Sequence, residues 1–306
     1  MKEDIKDIQT QLDKRAASKL RIEPLNDFKN SNLKNIFILS ESDLGVVRNG
    51  GRRGAAFGPK AIVNTLLKMT THKQKENGLK SIRSLQPYTP FTQQQSEDIS
   101  SITEILKSYT YSHICHLGGG HDHIYPLLKA LNTRTNKIAV INIDAHLDTR
   151  TDLETHSGTP FRQFANEVEG DFKLIQLGIH DFANEISNYT PLNKSEMEIY
   201  SVSQLRKETS NFTAVQAFMD KVTQDLCEFT IILSLDCDAI SSQSMEAVSA
   251  VNHNGLELSF VRDIFSWYYS LDQKQKFCGI YEYNPIFDNL SNKGARALAS
   301  LIEPFL

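Results

Sequence analysis

Several features that mark other classes of protein are missing from this sequence of 306 residues. No apolar stretch approaches the roughly 20 residues that a membrane-spanning helix needs. Residues 1–8 are charged throughout and lack the apolar segment of a secretory signal. The four cysteines show no CxxC spacing, which indicates reduced, mostly buried thiols rather than a disulfide framework. We therefore expect a cytoplasmic protein that does not bind membranes.

An excess of basic residues is also missing, since 33 Lys and Arg face 37 Asp and Glu and the pI is near 6.2. No basic stripe stands out, so nucleic acid is not an expected partner. There is no internal repeat, low-complexity tract or linker. With 40% hydrophobic residues the chain can bury a sizeable core. We expect a single domain over residues 1–306, in which residues 1–30 form a polar, helical arm.

What the sequence does contain is a series of short apolar runs. The run at 138–143 is typical of a buried strand. Comparable runs occur at 35–39, 114–117, 172–179, 230–235 and 277–281, and helical segments separate most of them. This strand–helix–strand order predicts a parallel sheet with right-handed crossovers. The predicted fold class is α/β with a central, mainly parallel sheet.

Acids and histidines follow three of the predicted strands. They are Asp144, His146 and Asp148 after the run at 138–143, Asp236 and Asp238 after the run at 230–235, and His121 after the run at 114–117. The first three would project to one side if an extended backbone continued through them. Taken alone they could belong to a surface loop. Three strand ends with the same character instead indicate a metal site, because gathered carboxylates are costly to bury without a cation.

The donor types favour particular metals. Carboxylates and imidazoles without a cysteine thiolate favour Mn²⁺ or another octahedral divalent ion over structural zinc. More carboxylates than one ion needs indicates two ions, typically about 3.5–4 Å apart. Such a pair lowers the pKa of a shared water and suits hydrolysis of an electrophilic carbon or phosphorus.

A long glycine-rich loop follows the first predicted strand, from Ser40 to Pro59. It carries Arg48, Arg52 and Arg53. These arginines either lie exposed to solvent or bring a cation to an acidic ligand.

Three motifs resemble the signatures of the ureohydrolase superfamily, which includes arginase, agmatinase and formiminoglutamase. They are Gly118-Gly-Gly-His-Asp122, Asp144-Ala-His-Leu-Asp148 and Ser234-Leu-Asp-Cys-Asp238. The resemblance implies a three-layer α/β/α domain with two Mn²⁺ at the strand ends, a small-molecule substrate and a homo-oligomer. It assigns His121, Asp144, Asp148 and Asp236 to one ion, and Asp144, His146, Asp236 and Asp238 to the other.

Within the superfamily the details resemble formiminoglutamase. The loop at 46–59, Arg150 and the segment Ser157–Phe161 are similar to that family's motifs, whereas arginases and agmatinases would have histidine in place of Ser157. The resemblance implies hydrolysis of N-formimidoyl-L-glutamate to L-glutamate and formamide, a step of histidine degradation. The segment at 245–251 lacks the Pro-Gly of many relatives, which leaves its substrate contacts open.

The resemblance also implies roles for single residues. Asp148 would orient the attacking water and pass its proton to the leaving amine. Glu282 would pair with the cationic imino nitrogen, and Arg150 would hold a substrate carboxylate bidentately. His156 would shuttle protons, although an exposed loop histidine fits the sequence equally. The further predicted substrate-binding residues are Ser157, Arg48 and Arg52.

Three alternatives remain open from the sequence. A guanidino hydrolase would release urea from arginine, agmatine or guanidinobutyrate. A relative of histone deacetylases would bind one zinc ion through two Asp and one His. A catalytically silent relative would act as a binding protein, but such proteins usually lose metal ligands.

Overall fold

The structure is a computed structural model that describes residues 19–25, 33–70, 76–84, 89–193, 195–209 and 211–306. Most of the predicted helical arm over residues 1–30 lies outside these ranges. Within its described part, Glu23–Pro24 form a short strand, β1, that pairs with a later strand. The helix prediction is therefore wrong for that segment.

The described residues form a nine-stranded sheet in which every neighbouring pair of strands is parallel. The strands after β1 are β2 (Asn35–Ser40), β3 (Asn77–Arg83), β4 (His113–Gly118), β5 (Lys137–Ile143), β6 (Asp171–Ile179), β7 (Glu196–Ser201), β8 (Thr230–Asp236) and β9 (Phe277–Tyr281). Their spatial order is β1-β3-β2-β4-β9-β8-β5-β6-β7. The predicted mainly parallel sheet is confirmed.

Helices cover both faces of this sheet. They are α1 (Leu44–Arg48), α2 (Gly58–Leu66), α3 (Phe91–Ser108), α4 (Ile124–Asn132), α5 (Pro160–Glu167), α6 (Val202–Glu208), α7 (Phe212–Val222), α8 (Leu258–Ser270) and α9 (Lys293–Ile302). Apolar side chains of α3, α4 and α5 form one core, and those of α2 and α6–α9 form a second core on the opposite face. This is the predicted three-layer α/β/α arrangement.

The central strands supply both cores by alternation. In β5, Ile138 and Val140 enter the core with α3–α5, whereas Ala139, Ile141 and Ile143 enter the other. Because successive side chains of a strand point to opposite faces, a strand covered on both sides must be apolar throughout. That requirement explains why the apolar runs were visible in the sequence.

Besides β1, two strands were missed by the sequence analysis. β3 has only three buried residues among seven, and β7, at the edge of the sheet, has none among six. Without a buried face on each side, neither strand needs a continuous apolar run. None of the helices in the described ranges is both long and apolar enough to cross a membrane.

The strand order determines where a site can form. β4, β9, β8 and β5 are consecutive neighbours at the centre of the sheet, and their carboxyl ends meet at one edge. β2 and β3 lie on the β4 side of this centre, and β6 and β7 lie on the β5 side. The centre is therefore a topological switch point, the place where α/β proteins bind ligands.

Candidate metal centre

The same local turn follows both acidic strand ends. An Asp144 carboxylate oxygen accepts a hydrogen bond from the backbone N–H of His146 (2.8 Å), and Asp236 accepts one from the N–H of Asp238 (2.9 Å). Such a bond to a backbone group two residues on makes an Asx turn. β5 has already ended at Ile143, so the condition of an extended backbone through residue 148 is not met. The turns, rather than strand alternation, bring these side chains together.

Asp148 reaches the cluster through a special backbone conformation. Its φ is 51°, and that of Glu282, at the end of β9, is 65°. Non-glycine residues adopt this left-handed region infrequently, and it concentrates at functional sites. Glu282 is held there by hydrogen bonds from its own N–H to the Gly119 carbonyl oxygen (2.7 Å) and from the N–H of His121 to Glu282 Oε1 (3.0 Å).

His121 is surrounded by carboxylates. Its Nδ1 lies 2.8 Å from Asp148 Oδ2, 3.1 Å from Asp144 Oδ2 and 3.3 Å from Asp236 Oδ2. This buried nitrogen nevertheless has no hydrogen bond of acceptable geometry. One imidazole nitrogen can donate at most one proton, so three carboxylates converging on it are the arrangement expected around a shared cation. His121, Asp144, Asp148 and Asp236 form one group of compatible ligand atoms.

Outer contacts fix the orientation of the His121 ring. Its Nε2 lies 2.9 Å from the hydroxyl of Ser234, its ring stacks on Tyr281 at 5.0 Å, and Phe161 packs edge-on against it at 5.5 Å. Ser234 was not assigned a role from the sequence, although it lies on β8 two residues before Asp236 and therefore on the same face. The hydrogen bond leaves Nδ1 directed at the carboxylates.

A second group adjoins the first. His146 Nδ1 lies 3.0 Å from Asp238 Oδ2 and 3.7 Å from Asp144 Oδ1, and these three residues again offer compatible ligand atoms. Asp144 belongs to both groups. Asp236, expected to serve both ions, belongs only to the first group, and its Oδ1 accepts a hydrogen bond from the Asp238 N–H.

The electrostatics show an excess of buried negative charge. Burial, reinforced by the charges of Asp238 and Asp144, raises the pKa of Asp236 well above its usual range. Burial and the Asp144 charge likewise raise the pKa of Asp148 to about 6. For Glu282, burial raises the pKa to about 8 against the opposing hydrogen bond from His121. Each of these three carboxylates is destabilised first by burial and then by neighbours of the same sign, and bound cations would offset this penalty.

The donor set fits divalent cations. The groups contain carboxylates and imidazoles only, a set that suits manganese. Cys237 lies between two of the acids, but it is buried in the core with α2 and α6–α9 and is not among the groups. Asp238 Oδ1 is buried without a hydrogen-bond partner in the described structure. Both orphaned polar atoms, this oxygen and His121 Nδ1, therefore point to bound metal.

A cavity of about 400 Å³ opens beside the two groups. It is lined by His146, Asp148, Asp236, Asp238 and Glu282, and by Arg150 and Ser157. Among the described residues that line it, Arg150 is the one lysine or arginine. Its Nη1 donates to Asn49 Oδ1 (3.0 Å), and Asn49 Nδ2 donates to the Ser157 hydroxyl (3.2 Å). The described lining of the cavity thus combines acids with the guanidinium of Arg150.

The two other predicted substrate-binding arginines do not line this cavity. The Nε of Arg48 donates to the Thr155 carbonyl oxygen (2.8 Å), and its guanidinium pairs with Glu154. The guanidinium of Arg52 donates to the Val248 carbonyl oxygen (2.6 Å) and covers a phenylalanine ring. These two guanidinium groups connect loops instead of facing the cavity, so their role in substrate binding stays a prediction.

The predicted catalytic role of His156 is not supported either. The residue is buried, not exposed, but it does not line the cavity. Its Nδ1 accepts the backbone N–H of Gly158 (3.0 Å), and its Nε2 lies 2.7 Å from Asp152 Oδ2. Both ring nitrogens therefore contact protein groups rather than the cavity, and proton transfer by His156 stays a prediction.

Several lining residues were not found from the sequence. They include Asn49, Asn184, Asn188, Ser249 and Ala250. Asn184 is fixed by donating to the carbonyl oxygens of Ala145 (3.1 Å) and His180 (2.9 Å). Isolated polar residues in loops carry no periodicity or motif spacing, so only the folded chain reveals that they share a cavity.

Comparison with known proteins shows which family and fold this chain resembles. The sequence model of the arginase family matches residues 41–306. A formimidoylglutamase of Cupriavidus pinatubonensis is 30% identical over 279 residues, which cover 85% of this chain and 82% of the relative. Formimidoylglutamase from Bacillus subtilis superposes with a TM-score of 0.80 at 20% identity, covering 94% of this chain and 89% of its own. Trypanosoma cruzi formiminoglutamase with Mn²⁺ gives 0.76 at 22%, covering 90% and 93%.

Proposed function

This chain belongs to the arginase family, and we propose that it hydrolyses N-formimidoyl-L-glutamate to L-glutamate and formamide. It is a hydrolase that acts on C–N bonds of linear amidines. The observation that carries the specific substrate is the composition of the cavity: acids surround one part of it, and Arg150 supplies a guanidinium for an anionic group. N-formimidoyl-L-glutamate offers a cationic amidine and two carboxylates, so it matches both.

In this proposal six side chains hold two Mn²⁺. The predicted ligands are His121, Asp144, Asp148, Asp236, His146 and Asp238, which the fold gathers in two adjoining groups. Bound divalent ions would lower the pKa of a water and stabilise negative charge that develops during hydrolysis. The naming of manganese rests on the oxygen and nitrogen donors and on the Mn²⁺ in the T. cruzi relative.

The chain's own groups would position the substrate. Glu282 lies in the cavity with its Oε1 bonded to the His121 N–H, and its carboxylate can pair with the cationic imino nitrogen. Arg150 can receive a substrate carboxylate with two parallel N–H groups. Asp148 lines the same cavity and can accept a proton at a carboxylate oxygen and return it to the departing amine.

The remaining proposals concern the cellular setting. Formation of glutamate and formamide would place the enzyme in histidine degradation. A cytoplasmic location is consistent with the sequence, and homo-oligomerisation remains a prediction.

A substrate panel tests the proposed reaction. Manganese-loaded protein is incubated separately with N-formimidoyl-L-glutamate, agmatine and L-arginine, and formamide, ammonia and urea are assayed. We expect formamide from the first substrate, with a kcat/KM at least about 100-fold above that for either guanidino compound. Neither agmatine nor arginine places a carboxylate and an amidine-like group at the spacing found in N-formimidoyl-L-glutamate. If urea were the main product, the protein would be a guanidino hydrolase and the proposal would be wrong. Manganese binding without turnover of any amidine would favour the silent relative.

A further inference from the structure

We propose that Asp152 and His156 are positioning residues that hold the Arg150 guanidinium in its carboxylate-binding orientation. This inference deepens the proposed function and depends on it for the identity of the substrate. It replaces the catalytic role that the sequence suggested for His156.

The three side chains form one linear network. Asp152 Oδ2 lies 2.8 Å from Arg150 Nε and 2.7 Å from His156 Nε2. A single carboxylate oxygen therefore contacts the guanidinium on one side and the buried imidazole on the other. Asp152 approaches the guanidinium at Nε, on the side away from Nη1, which donates to Asn49.

The direction of the His156 hydrogen bond is fixed by its other nitrogen. Nδ1 accepts the backbone N–H of Gly158 at 3.0 Å, so it carries no proton in the neutral ring. Nε2 must then carry the proton and donate it to Asp152. His156 as a whole is only 4% exposed and its own backbone N–H donates to Thr159 Oγ1 (2.9 Å), so the donor is rigidly placed.

Gly158 allows the network to close. A Cβ at this position would lie 3.0 Å from Arg150 Cδ, 3.2 Å from His156 Cε1 and 3.2 Å from Asn49 Nδ2. The stem of the arginine and the edge of the imidazole thus pack over the same glycine. Such close packing restricts the rotamers of a long side chain that is otherwise 39% exposed.

The Nη2 group of Arg150 is the part of the guanidinium that can bind substrate. Arg150 Nη1 donates to Asn49 Oδ1, whereas Nη2 has no hydrogen-bond partner within the described part of the chain. Arg150 lines the cavity, but His156 does not and Asp152 is likewise outside its lining. The latter two residues can therefore affect a ligand only through Arg150.

A double-mutant cycle tests this dependence. Asp152→Ala should raise KM for N-formimidoyl-L-glutamate about 10-fold and change kcat less than about 2-fold, because a positioning group acts on binding geometry. In an Arg150→Met background the same Asp152→Ala change should alter KM less than about 2-fold, since the two residues act as one unit. Independent, additive effects in the two backgrounds would overturn the proposal.

Two replacements of His156 separate positioning from general loop stability. Glutamine can present an N–H near the place of Nε2 and keep the bond to Asp152, whereas asparagine can replace the Nδ1 acceptor for Gly158 but cannot reach Asp152. We expect His156→Gln to keep KM within about 3-fold of native and His156→Asn to raise it as much as Asp152→Ala does. Equal effects of both replacements would indicate a merely structural histidine and contradict the inference.

A binding measurement keeps this test separate from the proposed reaction. L-Glutamate carries the same carboxylates and is titrated calorimetrically into the native protein and the variants, with Glu154→Ala as the control because that exposed carboxylate pairs with Arg48 outside the cavity. The dissociation constant should rise about 10-fold for Asp152→Ala and be unchanged for the control. Native protein that binds glutamate without hydrolysing N-formimidoyl-L-glutamate would remove the reaction and leave the inference standing. Native and Asp152→Ala proteins with equal affinity, or no glutamate binding at all, would overturn the inference.

Discussion

Replacing Asp144 by asparagine should lower kcat/KM by more than about 100-fold. Loss of a residue that only contacts a metal ligand already costs up to about 100-fold, and Asp144 is proposed to be a ligand itself. Asp144 is the one residue shared by both groups of potential ligands, so the change removes a negative charge from each. Its oxygens lie 3.1 Å from His121 Nδ1 and 3.7 Å from His146 Nδ1. Bound manganese, measured by elemental analysis after gel filtration, should fall from two ions per chain to one or fewer.

The control for this variant is Asp171→Asn. Asp171 is exposed at the first residue of β6 and pairs in register with Lys137, at the opposite end of the strand that leads to Asp144. The same chemical change at this distance from the site should leave both activity and manganese content unchanged. Full activity of Asp144→Asn would contradict the account of a shared ligand.

The second large effect concerns stability. Asp98→Asn should reduce the free energy of unfolding by about 3–5 kcal/mol, because it removes the buried counter-charge of the Arg83 guanidinium and leaves only the exposed Glu97 beside it. Asp98 Oδ1 accepts from Arg83 Nε (2.8 Å) and lies 2.7 Å from Arg83 Nη2, and both side chains are almost completely buried. This pair joins β3 to α3. Urea unfolding of the native protein and the variant measures the difference.

The pH dependence gives a further check on this pair. Burial acts to raise the pKa of Asp98, but His123 and Arg83 outweigh it and the net shift is downward. A carboxylate with a lowered pKa stabilises the fold above its unfolded pKa and loses this contribution as the pH falls through the folded value. The difference between Asp98→Asn and native protein should therefore be full at neutral pH and shrink below about pH 4. Glu97→Gln, which removes the exposed partner of Arg83, should change stability little at any pH.

The central strands could be predicted from the sequence because each of them is a continuous apolar run. β4, β5, β8 and β9 are covered by helices on both faces, so each must be apolar along its length. β3 and β7 are only partly covered and gave no such run. The gathering of Asp144, His146 and Asp148 was also predicted, although for a reason that the structure corrects. An Asx turn and a left-handed residue, not a continued strand, bring them together.

The residues that line the cavity could not be predicted from the sequence. Arg48, Arg52 and Arg150 are chemically identical side chains in loops, and only the fold shows that Arg150 alone faces the cavity. His156 shows the same limit, because its two hydrogen bonds depend on loop geometry that no spacing rule specifies. Motifs indicate which residue types share a strand end, whereas the direction of a loop side chain depends on contacts distant in sequence.

Anomalous diffraction from crystals grown with manganese tests the central claim most directly. The account predicts two peaks, one among His121, Asp144, Asp148 and Asp236, and one among Asp144, His146 and Asp238. A map without a peak at these side chains, or with manganese bound elsewhere on the chain, would contradict it.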